Sequence, residues 1–124
     1  MPYLEILAPV ASEASKQMLV TAVTDSIVAA FDVPPATVTV YFLPIDNAHY
    51  GHAGRMGAGA EGARVFAKLH AYRRELPARR VVAASVTQAI AACFATPSHN
   101  VALYFMDRER DEVAHDGHMA CDAT

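Results

Sequence analysis

The chain has 124 residues, 53% of them apolar and 19% charged, enough for one packed domain or two half-domains sharing a core, and too apolar for a disordered chain. The formal net charge of −3, with Lys and Arg forming no stripe, argues against nucleic acid as the main partner. No apolar run reaches the ~18 residues of a membrane span, MPYLEILAPV lacks the charged start and apolar h-region of a signal peptide, and Cys93 and Cys121 make no disulfide framework, so a cytoplasmic protein without membrane or disulfides is expected.

In chain order, Tyr3–Leu7 reads as a short strand and Ser12 as the cap of a helix reaching about Phe31. Met18, Leu19, Ala22, Val23, Ile27, Ala30 and Phe31 give that helix an apolar stripe. Pro34 and Pro35 stop it, and the β-branched and aromatic run TVTVYFL, 37–43, is a second strand. Val65–His70 then starts the pattern again: Val81, Val82, Val86, Ala89, Ile90, Cys93 and Phe94 repeat the stripe, Pro97 ends it, and NVALYFM, 100–106, is the last strand.

This recurrence is an internal repeat. At an offset of 63, and without a gap, residues 16–56 fall on 79–119, matching Val23/Val86, Thr24/Thr87, Ile27/Ile90, Phe31/Phe94, Pro34/Pro97, Val38/Val101, Tyr41/Tyr104, Phe42/Phe105, His52/His115 and Gly54/Gly117. Pro, paired aromatics and Gly in one register point to duplication. The units are 1–57 and 64–124 in a single fused domain, joined through the Gly/Ala-rich stretch 57–63. Each is a strand, a crossover helix and a strand, hence a parallel βαβ. The fold class is α/β (α+β), a four-stranded sheet with two helices on one face. The second strands are apolar on both faces, Val38, Val40 and Phe42 one way and Thr39, Tyr41 and Leu43 the other. A face without helices must be buried by other subunits, so self-association is expected.

Pro2 carries the sharpest chemistry. If Met1 is removed, it becomes a secondary amine, whose ordinary pKa as an α-amino group is about 7.7–8.0. An apolar wall or a nearby cation lowers that value and leaves a neutral base, while carboxylates raise it and leave an acid.

Pro2 opening a strand, a helix ending in FDVPPATVTV, and His49-Tyr50-Gly51-His52-Ala53-Gly54 within NAHYGHAG together resemble the tautomerase superfamily. The likeness runs over nearly the whole chain. It is strongest to members in which two units of the 4-oxalocrotonate tautomerase type are fused and three chains form a homotrimer, a pseudo-hexamer of units. The resemblance implies a tautomerase or MIF-like fold, Pro2 as the catalyst, a small carboxylate substrate, and no cofactor or metal. It also implies substrate-binding arginines after a first strand. The first unit lacks them, having LAPVAS at 7–12 and Thr39, whereas the second offers Arg73 and Arg74 in HAYRRELP. Arg74 matches better. A guanidinium holds a carboxylate through two parallel hydrogen bonds.

By the same resemblance Tyr50 is an apolar wall near Pro2. Tyr104 matches a tyrosine that orients water in members similar to cis-3-chloroacrylic acid dehalogenase. The water-activating Glu of those members falls on His115, with Glu112 nearby but out of register, and their helix histidine falls on Ile27. Keto–enol tautomerism needs no activated water and is the leading expectation, with α-keto or enol acids as substrates. A hydratase, dehalogenase or decarboxylase using Tyr104 and His115 stays open, as does a non-catalytic relative that keeps Met1. Two further features have plainer readings. The spacing His115-x-x-His118-x-x-Cys121, with His49 and His52, is too loose to specify a metal site. Arg108–Glu112 reads as a solvated turn. Because Val65 stands where Pro2 stands in the first unit, only one proline site per chain is expected.

Overall fold

A computed structural model describes residues 2–57 and 63–123. Met1 and most of the expected linker lie outside them. Strand β1 (Tyr3–Ala8), helix α1 (Glu13–Phe31) and strand β2 (Thr39–Pro44) form the first unit, closed by a small hairpin of β3 (Gly51–His52) and β4 (Arg55–Met56). The second repeats it as β5 (Val65–Tyr72), α2 (Leu76–Cys93), β6 (Val101–Arg108) and a hairpin of β7 (Ala114–His115) and β8 (His118–Met119).

The four long strands make one sheet in the order β2-β1-β5-β6. Strands β1 and β2 are parallel, as are β5 and β6, and the units join through an antiparallel seam of β1 against β5. The seam pairs Tyr3 with His70, Leu4 with Leu69 and Leu7 with Phe66. Because β1 and β5 are equivalent in the repeat, this pairing makes the units a pseudo-two-fold pair: the start of β1 lies beside the end of β5, and the start of β5 beside the end of β1.

Alternation in the strands sorts the core from the bare face. Leu4, Ile6 and Ala8 on β1, and Val65, Ala67, Leu69 and Ala71 on β5, are buried beneath the helices. The helices answer with Leu19, Val23, Ile27 and Phe31 on α1 and Val82, Val86 and Ile90 on α2. These are the same positions of the repeat, at a strict spacing of four. Ser26 and Ser85 hydrogen-bond hydroxyl to hydroxyl across the helix pair. Among the described residues, no helix is long and apolar enough to cross a membrane.

Several expectations change at the edges. Met18 is 74% and Val81 56% exposed, so neither belongs to the core. Each precedes a buried stripe residue by one position, about 100° around the helix, which turns it to solvent. Strand β2 starts at Thr39 rather than 37, because Pro35–Thr37 forms a 3-10 turn in which the Val38 amide bonds to the Pro35 carbonyl. Ser98–Asn100 does the same before β6. Strands β5 and β6 run on to Tyr72 and Arg108, since Ala71 pairs with Asp107 and Tyr72 with Arg108. Ser12 caps α1 as expected, its hydroxyl accepting from the Ser15 amide at 3.1 Å.

The other sheet face has no helix. Tyr41, Leu43, Phe66 and Tyr104 are exposed there, between 40% and 57%. Tyr3 meets Tyr41 edge to face at 6.3 Å, and the repeat-related Phe66 and Tyr104 meet at 6.1 Å.

Candidate active site

Pro2 is buried at the start of β1, and its carbonyl accepts a hydrogen bond from the Thr39 amide at 3.2 Å. Continuing the seam register by one residue puts it beside Ala71, so the end of β5 and the segment after it flank its nitrogen. Two arginines follow there, and the structure treats them differently.

Arg73 gives a terminal nitrogen to Asp107 at 2.8 Å and is 71% exposed. Asp107 also takes a nitrogen of Arg79 at 2.6 Å. The Arg79 hydrogen bond, and then the charges of Arg79 and Arg73, hold the Asp107 carboxyl below its ordinary value. A depressed carboxylate stabilises the fold above its unfolded pKa, about 3.9, and that contribution is lost as pH falls through the folded value. Asp107→Asn is therefore expected to lower the melting temperature at neutral pH, and the gap should close in strong acid. An equal gap at both pH values would show that the carboxylate charge is irrelevant.

Arg74 meets no carboxylate among the described residues. Its nitrogens donate to the carbonyls of Tyr72 at 2.7 Å and Phe31 at 3.5 Å, and its guanidinium lies over the Phe31 ring, 4.8 Å from the centroid. A half-buried guanidinium held by carbonyls and an aromatic face keeps its positive charge uncancelled. Arg79, which the sequence reading did not single out, fixes the Arg74 carbonyl at 2.9 Å while its head lies over Phe105. Its place in the first turn of α2, just after Arg74, was the available signal.

His70 was also missed, and only 6% of it is exposed. It stacks on Tyr3 with centroids 4.3 Å apart, accepts at Nδ1 from Arg108 at 3.1 Å, and faces Glu5 from Nε2 at 3.3 Å. Since Arg108 can only donate, Nδ1 carries no proton, and Nε2–H is the donor to Glu5. This chain lies on the bare face at the Pro2 end. Arg108 therefore belongs to it rather than to a solvated turn. The alternation of β5 was the signal, for it sends His70 to that face.

The remaining site candidates do not gather at Pro2 within one chain. Tyr104 is halfway along β6, opposite Lys68. His115 is exposed on the last hairpin, opposite His118. Glu112 caps a 3-10 turn through the Glu109 amide at 2.9 Å. Tyr50, expected as a wall of the proline site, is at the opposite end of the sheet, where its hydroxyl accepts from the Arg64 amide at 3.1 Å. The reason is the antiparallel seam, which brings the tail of each unit to the head of the other. The Gly57 amide bonds the Tyr50 carbonyl at 2.7 Å, and the repeat-related Ala120 amide bonds Val113 at 2.8 Å, so Val113 holds the equivalent place in the second unit. Among the described residues, no three of His, Cys, Asp and Glu come together to hold a metal ion.

A family model for tautomerase enzymes matches residues 2–58. No curated protein matches the chain by sequence. In solved structures the chain is similar to a fused 4-OT wild-type symmetric trimer, at 20% identity and TM-score 0.84 over 96% of each chain. It is also similar to Pt0534 inactivated by 2-oxo-3-pentynoate, at 19% identity and TM-score 0.82 over 94% of each chain. The macrophage migration inhibitory factor of Toxoplasma gondii shares the fold at 17% identity and TM-score 0.79, over 94% of this chain and 98% of that one. Residues 2–58 thus match the tautomerase family, and the chain over its whole length has the fold of the fused 4-OT structures.

Proposed function

We propose that the protein is a keto–enol tautomerase of small α-keto or enol carboxylic acids, working as a homotrimer with Pro2 as its proton carrier. The observation that carries this reading is the pairing, at one end of the sheet, of the buried Pro2 with Arg74, a half-buried cation that meets no carboxylate among the described residues. In ketonisation the Pro2 amine takes the enol hydroxyl proton. As the C=O bond forms, it returns a proton to the adjacent carbon. Arg74 holds the carboxylate, keeping that carbon within reach of the nitrogen. Burial and the nearby cation both favour the neutral amine. The trimer rests on the bare aromatic face and on the trimeric assembly of the fused 4-OT relative. The tautomerase reading is preferred to the hydratase one because Glu112 is used as a cap and Tyr104 packs on Phe66.

The test uses 2-oxo-3-pentynoate, the compound that inactivates Pt0534. A neutral Pro2 amine adds to its conjugated alkyne: the N–C bond forms, one π bond is consumed, and the proton passes to carbon. Intact mass should then rise by the whole acid, one equivalent per chain, with the adduct mapped to Pro2. Quantitative retention of Met1, or no adduct on Pro2, would leave the non-catalytic reading in its place.

A further inference from the structure

A sizeable cavity lies away from Pro2. It lies at the opposite end of the sheet, has a volume of about 540 Å³, and is lined by both units, among them Leu7, Ile45, Tyr50, His52, Arg64 and Phe66. That volume falls within the range of small-molecule sites, about 300–1,000 Å³. By the pseudo-two-fold it is the counterpart of the proline site, with Val65 at the position equivalent to Pro2 and wholly buried.

The Val65 nitrogen is a peptide amide in mid-chain, so this end has no amine to move a proton. It does have a cation. The Arg64 Nε donates to His52 Nε2 at 3.0 Å, and its backbone amide donates to the Tyr50 hydroxyl. As the acceptor, His52 Nε2 is unprotonated, which leaves that ring neutral in this arrangement. The nearby His49 faces Asp46, whose carboxylate is taken up by it at 2.7 Å. Among the described residues, no carboxylate pairs with Arg64 and its terminal nitrogens have no partner, so none of them cancels the positive charge it brings to the cavity. Around it the walls are apolar, from Leu7, Ile45 and Phe66.

We infer that this cavity is a second, non-catalytic binding site in each chain, for a small organic carboxylate with an apolar body. Its carboxylate pairs with the terminal nitrogens of Arg64, and its body packs against Leu7, Ile45 and Phe66. The inference does not depend on Pro2 being a catalyst.

Phenylacetate is a suitable probe, because it has the charge and the ring but no keto or enol group to turn over. Binding is measured by calorimetry and amide-shift mapping on the intact oligomer, in an Arg74→Ala background that removes the other cation. The expected result is saturable binding, with shifts at Tyr50, Gly51 and Phe66, weakened about ten-fold or more by Arg64→Ala. Phenylacetamide, neutral and of the same shape, should bind at least as weakly to the Arg74→Ala protein, which gives a readout that needs no Arg64 variant to fold. The inference is overturned by equal binding of acid and amide, by undiminished binding in a folded Arg64→Ala protein, or by no binding because a second copy fills the cavity.

Discussion

Pro2→Ala is expected to slow ketonisation of an enol acid such as the enol of phenylpyruvate by about 10²–10⁴-fold in kcat, the usual contribution of a positioned acid–base group. Alanine after Met1 removal still offers an amine, so the comparison isolates the ring. Proline fixes φ and leaves the nitrogen one orientation, whereas an alanine amine rotates freely and loses its aim at the substrate carbon. The fold should barely register the change, because the hydrogen bond that anchors Pro2 uses its carbonyl, which alanine keeps. Melting temperature is thus the control, and it should fall only slightly, by the loss of the buried ring methylenes. For the wild type, kcat/KM should rise with pH through the amine's titration, at a midpoint below the ordinary ~7.7–8.0. A variant as fast as wild type would remove Pro2 from the chemistry.

Arg74→Ala should raise KM for carboxylate substrates by the equivalent of ~1.5–3 kcal/mol, roughly ten- to a hundred-fold, the worth of a hydrogen bond to a charged group. The neighbouring residue supplies the contrast. Arg73 is already bound to Asp107 and largely exposed, so Arg73→Ala should cost no more than the ~0–1 kcal/mol of a surface ion pair. Steady-state kinetics of the two single variants decides the matter. Equal effects from both would mean that the substrate draws Arg73 away from Asp107, and no effect from Arg74→Ala would place the carboxylate elsewhere.

Much of the architecture was legible because the repeat is ungapped. Every buried stripe residue of α1 has its mate sixty-three positions on, and the strand alternation follows the same offset. Element ends were less legible. The prolines at 34 and 35 announce a break, but whether a turn or a strand follows depends on local hydrogen bonds such as Val38 to Pro35. The site was legible only in part. Pro2 and Arg74 are the head of one unit and the segment after β5 in the other, and the seam that joins them is a pairing of distant strands. The same seam carries Tyr50 away. An offset along the sequence states which residues are equivalent and is silent on which equivalent residues meet. His70 stayed hidden for a related reason, since it and its partners Glu5 and Arg108 come from three different strands.

The hairpins that close the two units have one more consequence. Gly57, at the first unit's tail, and Ala63, at the second unit's head, line the same cavity. The second unit's tail repeats the first's, with the Ala120 amide on the Val113 carbonyl where the Gly57 amide is on that of Tyr50. The scaffold is nearly symmetric end to end, and side-chain chemistry sets the two ends apart, with Arg74 and His70 at one and Arg64 and Tyr50 at the other.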